Sequence, residues 1–167
     1  MMRSTYVVAA GSNRRGRHGA PAREVAAALA ALPGVARMAP IITSAPLGPS
    51  IRRFANTVAI VESHASPGDL LRALKAIERS FGRRRGQRWG ARVIDLDLIL
   101  WSGGTYGDGD LIIPHAAYRT RDFVLAPLLH VAPSWRDPVT GLTIRQLHAR
   151  LTRRRALPSR SGAGAGP

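Results

Sequence analysis

The chain has 167 residues, 45% of them hydrophobic and 5% aromatic, which is enough to bury one core and predicts a single domain. It contains no cysteine, which excludes a disulfide framework, a cysteine zinc site and a thiol nucleophile and fits a reducing, cytoplasmic setting. A formal net charge of +15 calls for an anionic partner, and since Lys75 is the only lysine among 25 basic residues, arginine carries that charge, with a planar fork suited to phosphate.

Near the N-terminus the apolar run Tyr6 to Ala10 is too short for a signal segment or a membrane span and reads as a strand leaving at Gly11-Ser12-Asn13. Ala22 to Leu32 places Val25, Ala28, Leu29 and Leu32 at helical spacing, and Pro33-Gly34 stops it. Val35 to Thr43 and Asn56 to Glu62 read as strands on either side of a loop, Ser44 to Arg53, punctuated by Pro-Leu-Gly-Pro. Ser66-Pro67-Gly68-Asp69 predicts a capped helix start, after which Leu70, Leu71, Leu74, Ile77 and Phe81 form an apolar stripe ending at Gly82.

An arginine-rich loop, Arg83 to Arg88, leads to a strand over Arg92 to Trp101, with Ile94, Leu96, Leu98 and Leu100 on one face and Asp95 and Asp97 on the other. Phe123 to Val131 predicts a short helix. From Thr152 the chain has no apolar periodicity, so the reading is a folded domain over 1–151 and a basic, disordered tail over 152–167. The order strand, helix, strand, strand, helix, strand predicts an α+β fold with a ferredoxin-like βαββαβ core, an antiparallel sheet backed by helices, and a short C-terminal helical extension.

The sharpest chemical signal is Asp95-Leu96-Asp97 in an otherwise apolar strand. Period-2 geometry puts both carboxylates on one face, roughly 6 to 7 Å apart, where they repel unless cations or hydrogen bonds offset them. Mg²⁺ commonly uses one or two carboxylates together with substrate phosphates, so a two-metal phosphate site fits; an edge strand with two solvated aspartates fits as well. Arg83, Arg85, Arg88 and Arg92 lead directly into the acidic strand and favour phosphoryl chemistry. No Walker loop is present to hold the nucleotide, and the one lysine lies in mid-helix. His115, after Pro114 and before Arg119 and Arg121, suits either a phosphate or ribose contact or a structural role. Phe54 and Phe123 are scarce aromatics at element edges, for which core packing is the plain explanation.

Several motifs then coincide: Gly11-Ser12-Asn13, Pro46-Leu47-Gly48-Pro49 followed by Phe54-Ala55-Asn56, the block Arg88-Trp89-Gly90-Ala91-Arg92-Val93-Ile94-Asp95-Leu96-Asp97, and Ile113-Pro114-His115 with Arg121 and Phe123-Val124-Leu125. Over about residues 5 to 150 the chain resembles the 6-hydroxymethyl-7,8-dihydropterin pyrophosphokinases of folate synthesis. The resemblance implies Mg-ATP and 6-hydroxymethyl-7,8-dihydropterin as substrates, with pyrophosphate passing to the pterin and AMP leaving. It implies two Mg²⁺ ions on Asp95 and Asp97, and Arg83 and Arg92 as catalytic groups in flexible loops. Arg85, Trp89, Leu98, His115, Arg121 and Glu78 would surround ATP. For the pterin it implies Asn56 and the backbone near Leu47 at the edge of the ring, Phe54 and Phe123 against its faces, and Ser44 among the binding residues.

Two other readings use the same features. An RNA-binding module shares the element order and the charge, but it needs exposed stacking rings on its central strands, and the aspartate pair would repel a nucleic-acid backbone. A metal-dependent nucleotidyltransferase would use the same acidic pair and release pyrophosphate in place of AMP. The resemblance predicts no nucleic-acid partner and no membrane, and a monomer or weak homo-oligomer.

Overall fold

The computed structural model describes residues 2–44, 53–82 and 92–156, and Leu47, Arg83, Arg85, Trp89 and the segment 157–167 lie outside them. Among the described residues the strands are β1 (Ser4–Ser12), β2 (Val35–Met38), β3 (Ile42–Ser44), β4 (Phe54–Ser63), β5 (Asp95–Trp101), β6 (Tyr106–Asp108) and β7 (Leu111–Ile113). The helices are α1 (Pro21–Ala31), α2 (Pro67–Ser80), α3 (Asp122–Val131) and α4 (Ile144–Ala156), with a short 3₁₀ turn at Tyr118–Thr120. No described helix is long and apolar enough to cross a membrane.

The main sheet is antiparallel, in the order β2-β4-β1-β5, with β3 also paired to β4. Central β1 is apolar on both sides, and Tyr6, Val7 and Val8 are all fully buried, so both sheet faces need cover. One face packs against α1 and α2 through Tyr6, Val8, Val25, Leu29, Leu70, Leu74, Leu96 and Leu98. The other packs against α3 and α4 through Val7, Val58, Ile60, Ile99, Leu100, Leu125, Leu128 and Ile144. The α2 start is built as its sequence predicts: Ser66 Oγ accepts from the Asp69 amide at 3.2 Å and Pro67 occupies the first turn. Gly34, at φ +85°, turns the chain into β2 where a Cβ would stand 2.2 Å from the Glu62 carbonyl oxygen, so no other residue fits there.

The structure departs from the sequence reading at four places. The strand expected over Val35 to Thr43 is two strands, because Pro40 has no amide to give the ladder, and the Thr57 hydroxyl donates to the Ala39 carbonyl at 2.8 Å across the break. The strand expected from Arg92 begins at Asp95, and a bulge changes its faces. Val7 pairs with Leu100 but Val8 with Leu98, so Ile99 is the extra residue and Leu100 joins the α3 side, away from Ile94, Leu96 and Leu98. The β6–β7 hairpin was not expected, although Gly109-Asp110, the two residues between the paired Asp108 and Leu111, is a hairpin signal. Finally, α4 continues to Ala156, so the boundary expected at 151 falls inside a helix. Buried Ile144 and Leu147 anchor it, and its last turns are made of good helix formers, with Thr152 Oγ1 bonding back to the His148 carbonyl at 2.9 Å.

Candidate active site

Cover on the α3 face ends partway along the strands, and the register states where. Ile60, Val7 and Leu100 form a row across β4, β1 and β5 that lies in the core beneath α3 and α4. In the next row Val58, Ala9 and Asp97 stand side by side, and in the row after that Asn56, Gly11 and Asp95. The side chains thus shrink and become polar toward one end of the sheet, leaving a cavity of about 590 Å³ lined by Ala9, Gly11, Asn56, Asp95, Asp97, Phe54, Arg121 and Phe123 among others.

Gly11 keeps the floor of this cavity low. A Cβ there would approach Asn56 Oδ1 to 2.9 Å, closer than such atoms stand, so glycine allows the Asn56 amide to lie over β1. Phe54 and Phe123, one from β4 and one from the first turn of α3, are 37% and 48% exposed, and neither belongs to the core. Core packing therefore does not explain them; both rings border the cavity. The Arg121 guanidinium lies 5.7 Å from the centre of the Phe123 ring, which brings a cation to the same rim.

Among the described residues β5 is the edge strand of the sheet; Asp95 is exposed and Asp97 half-buried, and both line the cavity. Partial withdrawal from water, then the charges of Glu78 and Asp97, push the Asp95 pKa above the usual carboxylate range. Such a pair calls for a cation. Two carboxylates on one strand face are a donor set that suits a hard cation taking its remaining ligands from water or a bound phosphate, as Mg²⁺ does.

Glu78 enters from α2 and is nearly buried. One oxygen accepts from the Leu96 amide on the open edge of β5 at 3.1 Å, and the other pairs with Arg92, with Lys75 Nζ 3.7 Å away. Arg92 is thereby held at the edge of the acidic strand. His115 is placed by its amide, which donates to the Ile99 carbonyl at 3.0 Å. Its Nδ1 accepts from the Ala117 amide at 3.2 Å, so the neutral ring carries its proton on Nε2. Burial lowers its pKa, and Arg121 adds to that against the opposing pull of Asp97.

The structure thus brings Asn56, Phe54, Phe123, Arg121, Asp95 and Asp97 to one cavity, with Glu78, Arg92 and His115 around the acidic strand. Ser44 stands opposite Phe54 in the β3–β4 ladder. Leu98 does not come to the cavity: it shares the parity of Leu96, is 3% exposed and packs under the helices of the opposite face. Sequence reasoning did not single out Asp137, a buried carboxylate paired with Tyr118 and Arg119.

Residues 7–133 match the family described as 7,8-dihydro-6-hydroxymethylpterin-pyrophosphokinase (HPPK). The chain belongs to the HPPK family. It is 43% identical over 100 residues to the 2-amino-4-hydroxy-6-hydroxymethyldihydropteridine pyrophosphokinase of Synechocystis sp., an alignment covering 60% of this chain and 51% of the relative. To the Pseudomonas aeruginosa protein of the same name it is 43% identical over 102 residues, covering 60% and 63%. To that of Haemophilus influenzae it is 36% identical over 134 residues, covering 77% and 81%. The matched stretch therefore spans about half to two thirds of the first two relatives. A solved Plasmodium falciparum HPPK-DHPS structure superposes with a TM-score of 0.71 at 15% identity, over 92% of this chain and 46% of that one, a likeness of fold alone. An HPPK-DHPS structure in complex with substrates gives 0.70 at 13%, over 92% and 45%.

Proposed function

We propose that this HPPK-family chain transfers pyrophosphate from Mg-ATP to the hydroxymethyl group of 6-hydroxymethyl-7,8-dihydropterin, releasing AMP. The observation that carries the reading is the adjacency, in one cavity, of a flat-ring site and a cation-seeking carboxylate pair. Asn56 offers both a donor and an acceptor to a ring edge, and Phe54 and Phe123 offer aromatic faces to the ring itself. Asp95 and Asp97 would hold the two Mg²⁺ ions, which would neutralise phosphate charge and polarise the reacting phosphorus. Arg121 and Arg92 supply planar donors for phosphate oxygens, and His115 offers its Nε2–H as a neutral donor. Glu78 orients Arg92. Arg83, Arg85 and Trp89, outside the described residues, are assigned with them to ATP, the backbone near Leu47 to the pterin edge and Ser44 to the pterin site.

In the step itself the hydroxymethyl oxygen bonds to the β-phosphorus, the bond from that phosphorus to the α-phosphate oxygen breaks, AMP leaves and the hydroxyl proton is released. Positioning and electrostatics account for the acceleration without a covalent enzyme intermediate. The strand order β2-β4-β1-β5, with α1 and α2 on one face, supports a ferredoxin-like βαββαβ reading of the core. The cysteine-free composition supports a cytoplasmic setting, and a monomer or weak homo-oligomer is the assigned state.

The test is product analysis with Mg-ATP and the hydroxymethyl pterin. AMP formed one-for-one with pyrophosphorylated pterin is expected; inorganic pyrophosphate in place of AMP would identify a nucleotidyltransferase.

A further inference from the structure

Asp137 lies in the loop between α3 and α4, outside the cavity, and is fully buried. Both of its oxygens are occupied. Tyr118 donates its hydroxyl to Oδ2 at 2.7 Å, and Arg119 donates from Nε to Oδ2 and from Nη2 to Oδ1, the latter at 3.0 Å. The amides of Val139 and Thr140 donate to Oδ1 at 2.8 and 3.3 Å. A buried carboxylate is retained at a cost unless it is fully bonded, and here the bonding concentrates on two consecutive residues of one short turn.

That turn joins two residues of the site. At one end His115 is fixed to β5 through the Ile99 carbonyl. At the other, Arg121 donates its amide to the Tyr118 carbonyl at 3.2 Å, and its own carbonyl accepts from Val124 and Leu125, both at 3.0 Å, to open α3. Between them Tyr118 is buried in the core, and Arg119 is stacked 5.1 Å from the centre of the Tyr118 ring with its guanidinium committed to Asp137. Arg119 and Arg121 are therefore divided in role: one is spent on the fold, the other faces the cavity.

We infer that Asp137 is a positioning residue, acting through Tyr118 and Arg119 to set where Arg121 and His115 stand beside the cavity. The inference rests on the pyrophosphokinase reading of that cavity. Displacing a phosphate-binding group by about 1 Å can lower turnover on the order of a hundredfold, so the anchor acts on rate as well as on stability.

The test is a double-substitution cycle on the full chain. Asp137→Asn keeps the shape and an acceptor for Tyr118 but removes the charge that holds Arg119. At a temperature where circular dichroism shows it folded, AMP turnover and Mg-ATP affinity by calorimetric titration should each fall about tenfold. In an Arg121→Ala background the same substitution should cost clearly less, because one of the two groups it positions is gone and only the His115 share of the loss remains. Equal losses in both backgrounds, or no loss in the first, would overturn the inference. Where Asp137→Asn does not fold, Tyr118→Phe, which deletes one hydroxyl, goes through the same cycle with the same criteria. A wild-type protein that makes no AMP would refute the pyrophosphokinase reading, and the cycle read in Mg-ATP affinity alone would still decide the role of Asp137.

Discussion

At the residue scale the cavity depends on what is absent as much as on what is present. Gly11 lies between Asn56 and Asp95 in one row, and its missing side chain gives the Asn56 amide its place. Gly11→Ala should push that amide aside and weaken pterin binding, by up to the roughly 1–3 kcal/mol expected when a buried polar group loses its partner. Mg-ATP affinity, which rests on other groups, should stay nearly constant. Titrations of the two ligands against the folded variant check this, and an unchanged pterin affinity would separate Asn56 from the pterin edge. The carboxylate pair was legible in the sequence because two charges interrupt an apolar strand, and period-2 geometry fixes their common face. Leu98 lies on the core face beside Leu96, as the same geometry expects, whereas Leu100 defied it because a bulge adds Ile99. A bulge leaves no mark in an unbroken run of leucine and isoleucine, so the face change could not be read beforehand.

At the scale of elements, turn chemistry and apolar spacing gave α1, α2 and the central strands, whereas elements that owe their form to distant partners escaped. The turn at 118–120 is one such element, held by Asp137 across 19 residues. Burial alone would raise the Asp137 pKa, but Arg119, the Tyr118 hydroxyl and the Val139 and Thr140 amides outweigh it and hold the carboxyl well below the usual carboxylate range. The folded state therefore binds this proton more weakly than the unfolded chain. The stabilisation is complete above the ordinary aspartate pKa of about 4 and is lost progressively as pH falls below it toward the folded value. Asp137→Asn should accordingly lower the melting temperature at pH 7 and lose that deficit relative to wild type as the pH falls below about 4. Melting curves across pH check it, and a deficit that grew on acidification would contradict the sign. The same scale explains why both sheet faces are covered although only two core helices were expected on one: the apolar residues of β1 run through both parities, and α3 and α4 supply the second cover.

At the scale of the whole molecule, fold and charge serve the same end. The antiparallel sheet is closed by helices except where polar residues replace apolar ones; among the described residues Arg121 lines that opening, and Arg92 is paired with Glu78 beside β5. On the proposed reading, a net charge of +15 would draw an anionic substrate toward such a site from a distance. The central claim is that phosphoryl transfer takes place over Asp95 and Asp97. Its most direct test is the rate of AMP release from Mg-ATP and hydroxymethyl pterin by Asp97→Asn, in a sample whose melting curve matches that of a folded protein. Turnover at least about a hundredfold below wild type, not recovered by raising Mg²⁺, is the result expected for a lost metal ligand. Wild-type turnover at limiting Mg²⁺ would contradict it and move the chemistry away from this strand.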